Sequence, residues 1–385
     1  MCKVMESVIR NAIVEHLTSK DLLRQSQHGF MRGKSTVTNL LEYLEELTKA
    51  IDRGEDMDVL YLDFSKAFDK VPIRRLLSKC AGLGIRGKLL AWVENWLTCR
   101  RQRVVLNGRE SEWGPIKSGV VQGSVLGPCL FLMFINDIDQ AVGDVGGIMH
   151  KFADDTKWSR KVVNEEDRVS FQQGIDNLFK WSSDWQLTFN RDKCHVIQVG
   201  RSNARHKYTM EGSELERVQQ EKDVGVIIAE NLKPSLQCAK AAQKANSVLG
   251  LLTRGVGYRD KEYAVAAWSP WNQGDKEVLE GVQRRAVKMV TNLKGKTYHQ
   301  RLEELGLTKL EERRERGDLI MAYKVITGKD KVNHESWFRM CEGLNDRRET
   351  RYLGGLYNVE RLEGRLEIRQ NFWSVRVASG THCQT

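Results

Sequence analysis

The chain has 385 residues, of which 41% are hydrophobic, so it can bury a substantial core and is not a disordered protein. Lysine and arginine total 61 against 51 acidic residues, a formal net charge of +10, which favours a polyanionic partner such as nucleic acid. The most apolar internal run, CLFLMFI at 129–135, is far shorter than the ~20 residues of a membrane helix. We therefore expect a soluble protein that does not cross a membrane.

The eight cysteines form no CxxC pair and no dense framework. They are typical of free thiols in a reducing compartment, so we expect an intracellular protein, with nucleus and cytoplasm left open. Cys194 and His195 are adjacent in a predicted strand and point to opposite faces of it. We interpret both as structural residues.

The first elements in chain order are a helix, a strand, a helix and a hairpin. Apolar residues fall at helical spacing from Thr36 to Ile51. The short apolar run MDVLYLDF at 57–64 predicts a buried strand that ends near Asp63. KLLAWVENWL at 88–97 predicts a largely buried helix, and Asn107-Gly108 between two extended runs predicts a β-hairpin.

The second half of the chain begins with a buried helix around 131–135, followed by a tight turn at 152–156 between extended segments. Asn164 precedes three acidic residues and predicts a helix N-cap. The following elements are predicted as strands at 194–199 and 223–228, then helices from residue 234 onward, including 277–290.

The segment GFMRGKST at 29–36 is similar to a phosphate-binding loop, which needs Gly-x-x-x-x-Gly-Lys-Ser/Thr. The first glycine of that pattern is missing, because position 28 is His28, and no apolar strand leads into the segment. We therefore reject a nucleotide-hydrolysing loop. A basic, glycine-containing segment that touches phosphates remains open.

Three aspartates are the main candidates for chemistry. Asp63 ends one predicted strand, and Asp154-Asp155 occupies a turn between two others, so the three meet if these strands are neighbours in one sheet. Converging carboxylates raise one another's pKa unless a cation is present. Mg²⁺ suits such a site, and two ions about 3.5 to 4 Å apart support in-line phosphoryl chemistry. An ordinary solvated turn and a strand-end cap are the alternatives.

Seven stretches in order resemble the motifs of non-LTR (LINE-type) retrotransposon reverse transcriptases of the jockey-like branch. The resemblance covers roughly residues 1–325 and is specific because five palm motifs recur in sequence. The segments are QHGFMRGKST, LYLDFSKAFDKVP, SGVVQGSVLGPCLF, FADDTK, LTFNRDKCHVIQ, KDVGVII and LEGVQRRAVKMV.

This resemblance implies an α+β, right-hand polymerase fold, with an antiparallel or mixed palm sheet and a helical thumb. It also implies a domain order along the chain. The predicted parts are 1–56 partial fingers, 57–70 palm with the first acid motif, 71–117 an insertion with the hairpin, 118–228 palm, 229–325 helical thumb and 326–385 a C-terminal extension.

The resemblance further implies roles for individual residues. Asp63, Asp154 and Asp155 hold two Mg²⁺ ions, with Mn²⁺ as a substitute, and Lys193 protonates the departing pyrophosphate, unless it is an ordinary solvated lysine. The nucleotide-binding residues implied are Arg32, Phe64, Phe68, Gln122 and Gly123.

Within that set, the backbone carbonyl of Phe64 is an extra metal ligand. The ring of Phe68 excludes a ribose 2′-hydroxyl, with simple core packing as its alternative. Gln122 offers a side-chain amide that can hydrogen-bond, and Gly123 allows close approach of the backbone, to the templating pair and the incoming nucleotide. Arg32 faces the triphosphate, although Met31 separates it from the Gly-Phe pair that it directly follows in many relatives.

The implied partners are an RNA template, a DNA primer and deoxynucleoside triphosphates, with no membrane and an oligomeric state that the sequence does not define. Arg284, Arg285 and Lys288 lie on one face of a predicted helix and are expected to bind the nucleic-acid backbone. Trp268 and Trp271 are expected to pack between helices.

The chain departs from the family's pattern at its ends. Relatives carry an endonuclease domain and a first fingers motif ahead of the point where this sequence begins, so we expect an N-terminally truncated protein that does not insert autonomously. Two functions stay open. The first is an RNA-directed DNA polymerase core, and the second is a catalytically inactive nucleic-acid-binding remnant.

Overall fold

The structure of this chain is a computed structural model. It describes residues 2–252, 265–290, 293, 295–333, 335, 337–338, 350–353, 357–360 and 365–379. Within these ranges no helix combines the length and the apolar character that crossing a membrane requires.

The described elements follow one another in a mixed order of helices and strands. The helices are α1 (Cys2–Ser19), α2 (Thr36–Asp52), α3 (Ala67–Lys70), α4 (Ile73–Gly82), α5 (Gly87–Leu97), α6 (Gly127–Ile135), α7 (Ile138–Ala141), α8 (Glu165–Trp185), α9 (Ser235–Leu252), α10 (Val265–Trp268), α11 (Gln273–Lys288), α12 (Tyr298–Glu304), α13 (Leu310–Ile326), α14 (Glu367–Gln370) and α15 (Trp373–Ser379). The strands are β1 (Met57–Leu62), β2 (Arg101–Gln102), β3 (Val105–Leu106), β4 (Arg109–Glu110), β5 (Gly114–Pro115), β6 (Ile148–Phe152), β7 (Asp155–Lys161), β8 (His195–Val199), β9 (Thr209–Met210), β10 (Ser213–Glu214), β11 (Glu216–Arg217), β12 (Gln220–Asp223), β13 (Val226–Ala229), β14 (Thr350–Leu353) and β15 (Tyr357–Glu360).

The chain divides into two compact units. Unit 1 comprises Met1–Met31, Asp56–Gln198 and Ser202–Val218, and unit 2 comprises Arg32–Glu55, Val199–Arg201 and Gln219–Thr385.

Unit 1 is built around a five-stranded sheet in the order β11-β8-β1-β7-β6. β1 pairs antiparallel with β7, and β7 pairs antiparallel with β6, whereas β11 runs parallel to β8. Every residue of β1 is buried, as its continuous apolar sequence predicts for an inner strand. The predicted α+β class with a mixed sheet is therefore confirmed.

Helices α4 to α8 contribute to the apolar core beside this sheet. α4 packs on α5 and α6, and α7 packs on α8. The predicted Asn164 N-cap is confirmed, with a capping box formed by Asn164 and Asp167. α8 approaches the sheet closely because Gly174 has no β-carbon to collide with the Trp158 ring, which stacks on Phe171 with centroids 4.6 Å apart.

Helix α5 and the β3–β4 hairpin are more exposed than their apolar residues suggest. α5 is only half buried, with Val93 and Leu97 as its buried residues, so the expectation of a largely buried helix is wrong. The predicted hairpin at Asn107-Gly108 is confirmed by the pairing of β3 with β4, and Asn107 adopts a φ of 50°. Its strand residue Leu106 is 71% exposed.

Unit 2 is mainly helical, as predicted for the chain beyond residue 234. α9 packs along α11, and α13 packs on both α10 and α11. α2 starts with a capping box between Ser35 and Thr38. Its buried Glu45 accepts hydrogen bonds from the Arg369 guanidinium at 2.8 and 3.0 Å.

One predicted strand of unit 2 is wrong. Residues 223–228 do not form a continuous strand, because the chain reverses between β12 and β13, which pair antiparallel. The two turn residues, Val224 and Gly225, have φ values of 37° and 94°. Two successive residues with positive φ produce the tight hairpin turn that the valine conceals in the sequence.

Candidate active site

The three aspartates lie at one end of the sheet in unit 1. In the β1–β7 pair Leu62 lies opposite Thr156, so the next step along the same register brings Asp63 opposite Asp155. The last residue of β6, Phe152, pairs with the first residue of β7, Asp155. Residues 153–154 between them form a two-residue turn. The predicted tight turn between neighbouring strands is therefore present. It carries Asp154, and Asp155 is the first residue of β7.

The turn itself is conformationally unusual. Ala153 has a φ of 57°, in the left-handed region that a residue with a β-carbon rarely adopts. Thr156 donates its hydroxyl to the carbonyl oxygen of Asp154 at 3.2 Å. A turn of this kind needs support from neighbouring groups, because the left-handed backbone is strained.

The surroundings of Asp154 disfavour the ionised form of its carboxyl. Burial raises the pKa of the Asp154 carboxyl, and the negative charge of Asp63 raises it further. Asp155 is exposed. Two neighbouring carboxylates repel each other, and a bound cation would relieve that repulsion.

Residues after α8 hold Asp63 in place. The backbone N–H of Asn190 donates to the Asp63 carbonyl oxygen at 2.7 Å, and the Cys194 thiol donates to the same oxygen at 3.8 Å. Burial raises the pKa of Cys194 to about 11, so the thiol stays protonated at neutral pH. Lys193 brings its ammonium nitrogen to 3.7 Å from the Asp63 carboxylate.

The side chains at this end of the sheet offer carboxylate oxygens, which are donors for hard divalent cations. Among the residues that the structure describes, no three His, Cys, Asp or Glu side chains form a ready-made metal cage. Mg²⁺ is usually bound by one or two carboxylates, with waters and substrate phosphates completing its octahedron. The adjacent carboxylates of Asp63 and Asp154 fit that mode of binding.

The other acid-motif residues lie around the short helix α3. Phe64 is buried and stacks on Phe189 with ring centroids 4.6 Å apart. Phe68 is half buried and stacks on Phe131 with centroids 4.4 Å apart. This packing leaves part of the Phe68 ring accessible, so both of its predicted uses remain compatible with its position.

The loop 118–126 packs back onto the same helix. The N–H of Val120 donates to the carbonyl oxygen of Phe68 at 2.8 Å, and the amide of Gln122 donates to Asp69 at 2.9 Å. Gly123 has a φ of 74°, and a β-carbon there would meet no heavy atom within 4 Å. The loop therefore presents an exposed glycine backbone next to a tethered amide.

Two buried residues near the N-terminus, which the sequence patterns did not reveal, support these loops. The Glu6 carboxylate accepts hydrogen bonds from the N–H groups of Val125 and Leu126 at 2.7 and 3.3 Å. Gln27 bonds to the turn that precedes Asp154. Neither Glu6 nor Gln27 belongs to a pattern that marks such a contact, because Glu6 lies between Met5 and Ser7 and Gln27 lies between Ser26 and His28.

The remaining candidates belong to unit 2. Arg32 is exposed, and the neighbouring Gly33 accepts a hydrogen bond from the N–H of Lys331 at 2.6 Å. On α11, Arg284 lies over the Tyr298 ring at 5.4 Å and Arg285 donates to Asn246 at 3.0 Å. These two arginines and Lys288 are exposed.

Comparison with known proteins gives a consistent result. The family described as "Reverse transcriptase (RNA-dependent DNA polymerase)" matches residues 1–239. The probable RNA-directed DNA polymerase from transposon BS of Drosophila melanogaster is 25% identical over 81% of this chain and 37% of its own length. The polymerase from mobile element jockey of the same organism is 27% identical over 67% of this chain and 29% of its own length. The chain thus spans about a third of these curated relatives.

Solved structures also resemble this chain, more remotely. Telomerase from Candida albicans in complex with a telomeric RNA fragment has a TM-score of 0.46 and 10% identity, covering 87% of this chain and 52% of its own. Apo telomerase from Candida tropicalis, truncated of its C-terminal domain, has a TM-score of 0.40 and 15% identity, covering 54% of this chain and 43% of its own.

Proposed function

The chain belongs to the reverse transcriptase (RNA-dependent DNA polymerase) family, and we propose that it is an RNA-directed DNA polymerase core that extends a primer by two-metal nucleotidyl transfer. Its relatives BS and jockey are polymerases of mobile elements, so within the family it is of the non-LTR, LINE type. Membership in this family also gives the α+β chain the right-hand polymerase class.

The observation that carries this proposal is the meeting of acids that are distant in sequence. The register of β1 with β7 brings Asp63 to the turn of Asp154 and Asp155, and the Asp63 charge acts on Asp154. A sheet end with like charges is unfavourable in isolation. It becomes favourable when divalent ions and substrate phosphates occupy it.

The three aspartates would hold two Mg²⁺ ions, or Mn²⁺ in their place. When bound, such ions activate an attacking hydroxyl and neutralise charge on the leaving group. The primer 3′-hydroxyl loses its proton to a solvent water, and its oxygen forms a bond to the α-phosphorus of the deoxynucleotide. The bond from that phosphorus to the bridging oxygen of pyrophosphate breaks. Lys193 donates a proton to the departing pyrophosphate. Its ammonium group, 3.7 Å from Asp63, supports this role.

The loop and α3 around the acids would select the nucleotide. The half-buried ring of Phe68 would exclude a 2′-hydroxyl from the sugar site. Gln122 and the open backbone at Gly123 would bear on the templating pair and the incoming base. The carbonyl of Phe64 would add a metal ligand, and Arg32 would contact the triphosphate.

The partners are an RNA template, a DNA primer and deoxynucleoside triphosphates. The exposed cations of α11 would bind the nucleic-acid backbone, and the release of counterions would favour this binding. They are Arg284, Arg285 and Lys288. We also assign the protein to the interior of the cell. Cys80, Cys99, Cys129, Cys194 and Cys238 are free thiols, which supports that assignment.

The test is primer extension on an RNA template with deoxynucleotides and Mg²⁺. Asp154→Asn removes one metal-binding carboxylate and should reduce incorporation by at least about 10³-fold, because such an ion contributes several kcal/mol. Asp176→Asn is the matched control, since Asp176 is exposed on α8 and bonds to Gln172. Binding of primer–template should stay within about twofold in both variants.

The same assay decides between the two candidate functions. Extension by the unmodified chain that disappears without Mg²⁺ supports the polymerase. Incorporation no higher than that of Asp154→Asn, with primer–template binding retained, would instead favour the catalytically inactive nucleic-acid-binding protein.

A further inference from the structure

Residues 26–28, which precede β1 in the chain, pair with the strand at one edge of the sheet in unit 1. β6 is the edge strand, and Gln27 forms a parallel β-bridge with Lys151, a residue of β6. The N–H of His28 donates to the Lys151 carbonyl, and the Lys151 N–H donates to the Ser26 carbonyl, both at 2.8 Å. The segment is thus aligned with β6 up to the turn that carries the acids.

The side chain of Gln27 binds that turn directly. Its carbonyl oxygen accepts hydrogen bonds from the N–H groups of Gly29 at 2.7 Å and Ala153 at 2.9 Å. Its amide nitrogen donates to the Ala153 carbonyl oxygen at 3.3 Å. Gln27 is 3% exposed, so water does not compete for these bonds. One buried amide satisfies both backbone groups of the residue before Asp154.

Glycine at position 29 makes this contact possible. A β-carbon on Gly29 would collide with the backbone nitrogen of Ala153. The segment and the turn are therefore in backbone-to-backbone contact, with the Gln27 amide beside them. These contacts are made within the protein. They are separate from the phosphate contact that was left open for residues 29–36.

We infer that Gln27 is a positioning residue, which fixes the strained turn at Ala153 and so the direction in which Asp154 presents its carboxylate. Ala153 holds a left-handed φ of 57°, and such a conformation persists only when its surroundings hold it. Rotation at this residue would redirect the carboxylate that follows. The catalytic consequence rests on the proposed polymerase function, whereas the contact with the turn does not.

Three variants separate positioning from simple packing. Gln27→Leu keeps the size of the side chain and removes all three hydrogen bonds. Gln27→Glu keeps the two bonds that the side-chain oxygen accepts. Gln25→Leu is the matched control, because Gln25 is an exposed glutamine two residues away whose amide donates to Asp21 at 3.4 Å.

The first measurement is amide hydrogen exchange, which needs no activity. Gln27→Leu should speed exchange at residues 152–155 by about tenfold, the factor expected for an ordinary lost hydrogen bond. Exchange in the β1–β7 ladder, for example at Leu60, should be unchanged. Gln27→Glu and Gln25→Leu should both preserve the protection of Ala153. Unchanged exchange at the turn, or faster exchange throughout the sheet, would overturn the inference.

The second measurement is steady-state extension. Gln27→Leu should lower kcat by about 10- to 100-fold, because small misplacements of reacting groups are costly, while the KM for deoxynucleotide stays within about twofold. Gln27→Glu should recover part of that kcat. A rise in KM with kcat unchanged would contradict positioning. An inactive unmodified chain would refute the polymerase function alone, because the exchange measurement still tests the contact.

Discussion

The ammonium nitrogen of Lys193 lies 3.7 Å from a carboxylate oxygen of Asp63. Their side chains are 65% and 37% exposed, so the pair remains accessible to a substrate. The backbone places the lysine there, because Asn190 is bonded to Asp63 and the 3₁₀ turn Arg191–Lys193 follows at once. An exposed ion pair of this kind contributes little to stability. The contact with Asp63 is therefore the basis for the proposed role of Lys193 as a proton donor, which needs a direct test.

We predict that Lys193→Ala lowers kcat for primer extension by about 10²-fold, the lower range of general acid catalysis. Lys193→Arg keeps the positive charge but is a much weaker acid, so it should not restore the rate. Lys180→Ala, which removes an exposed lysine from α8, is the control. Full recovery of kcat in Lys193→Arg would show that charge alone matters, and an unchanged kcat in Lys193→Ala would show an ordinary surface lysine.

A second prediction concerns the choice between deoxyribose and ribose. Phe68→Ala removes a half-buried ring and should reduce the preference for deoxynucleotides over ribonucleotides by about 10- to 100-fold, since one steric contact in a pocket is worth about 1–3 kcal/mol. The measurement is the ratio of kcat/KM for the two nucleotides. Phe179→Ala is the control, because Phe179 is a partly buried ring packed on the same core. Loss of stability with an unchanged ratio would assign Phe68 to packing.

The sequence predicted that the strands beside the acids are neighbours, because the signals for each strand and for the turn are local. An apolar strand that ends at Asp63 and a two-residue turn at 153–154 need only the pairing of β1 with β7 to bring the carboxylates together. The supports of that site were not predictable in this way. Glu6 and Gln27 bond to backbone groups more than 100 positions away, and no periodicity encodes such a partner.

Two local errors have equally physical causes. In residues 223–228 the turn signal is Gly225, and the valine before it conceals the turn because a valine rarely adopts positive φ. In α5, apolar content was equated with burial, although a large apolar residue on a protein surface is common.

A third prediction tests the nucleic-acid contact of α11. Replacing Arg284 and Arg285 together by alanine should reduce the magnitude of the slope of log K against log salt by about 2, because each phosphate contact contributes about 0.9. The double variant Arg205→Ala with Lys207→Ala removes two exposed cations elsewhere and is the charge-matched control. The measurement is primer–template binding across a range of salt concentrations. The same decrease in the control variant, or no change in the α11 variant, would contradict this prediction.

A fourth prediction follows from a buried lysine in the core of unit 1. The Lys79 ammonium donates to the Phe134 carbonyl at 2.6 Å and to Asp137 at 2.5 Å. It also lies 3.7 Å from the Trp185 ring centroid and 4.7 Å from that of Trp181. Burial lowers the pKa of Lys79 to about 8, against the opposing effect of Asp137, with a further decrease from Lys151.

The pH dependence of stability follows from that shift. Between pH 8 and about 10.5 the unfolded chain binds a proton at Lys79 that the folded chain has lost, so this residue makes the free energy of unfolding rise with pH across that window. The difference between the two pKa values corresponds to about 3 kcal/mol. Cys80 acts in the opposite direction, since burial raises its pKa to about 12 and the unfolded thiol loses its proton first.

Lys79→Met isolates this contribution. It removes the titrating group, while Cys80 and Asp137 remain in both proteins and cancel when the two are compared. Urea unfolding at pH 7.5 and pH 10 should show that the free energy of unfolding of the parent chain gains up to about 3 kcal/mol relative to the variant. At pH 7.5 the variant loses the ion pair and the hydrogen bonds, and it also loses the cost of burying the ammonium, so the pH dependence and not the stability at one pH is the test. An equal pH dependence in the two proteins would mean that Lys79 keeps its proton through this range, held by Asp137 and the surrounding aromatic rings.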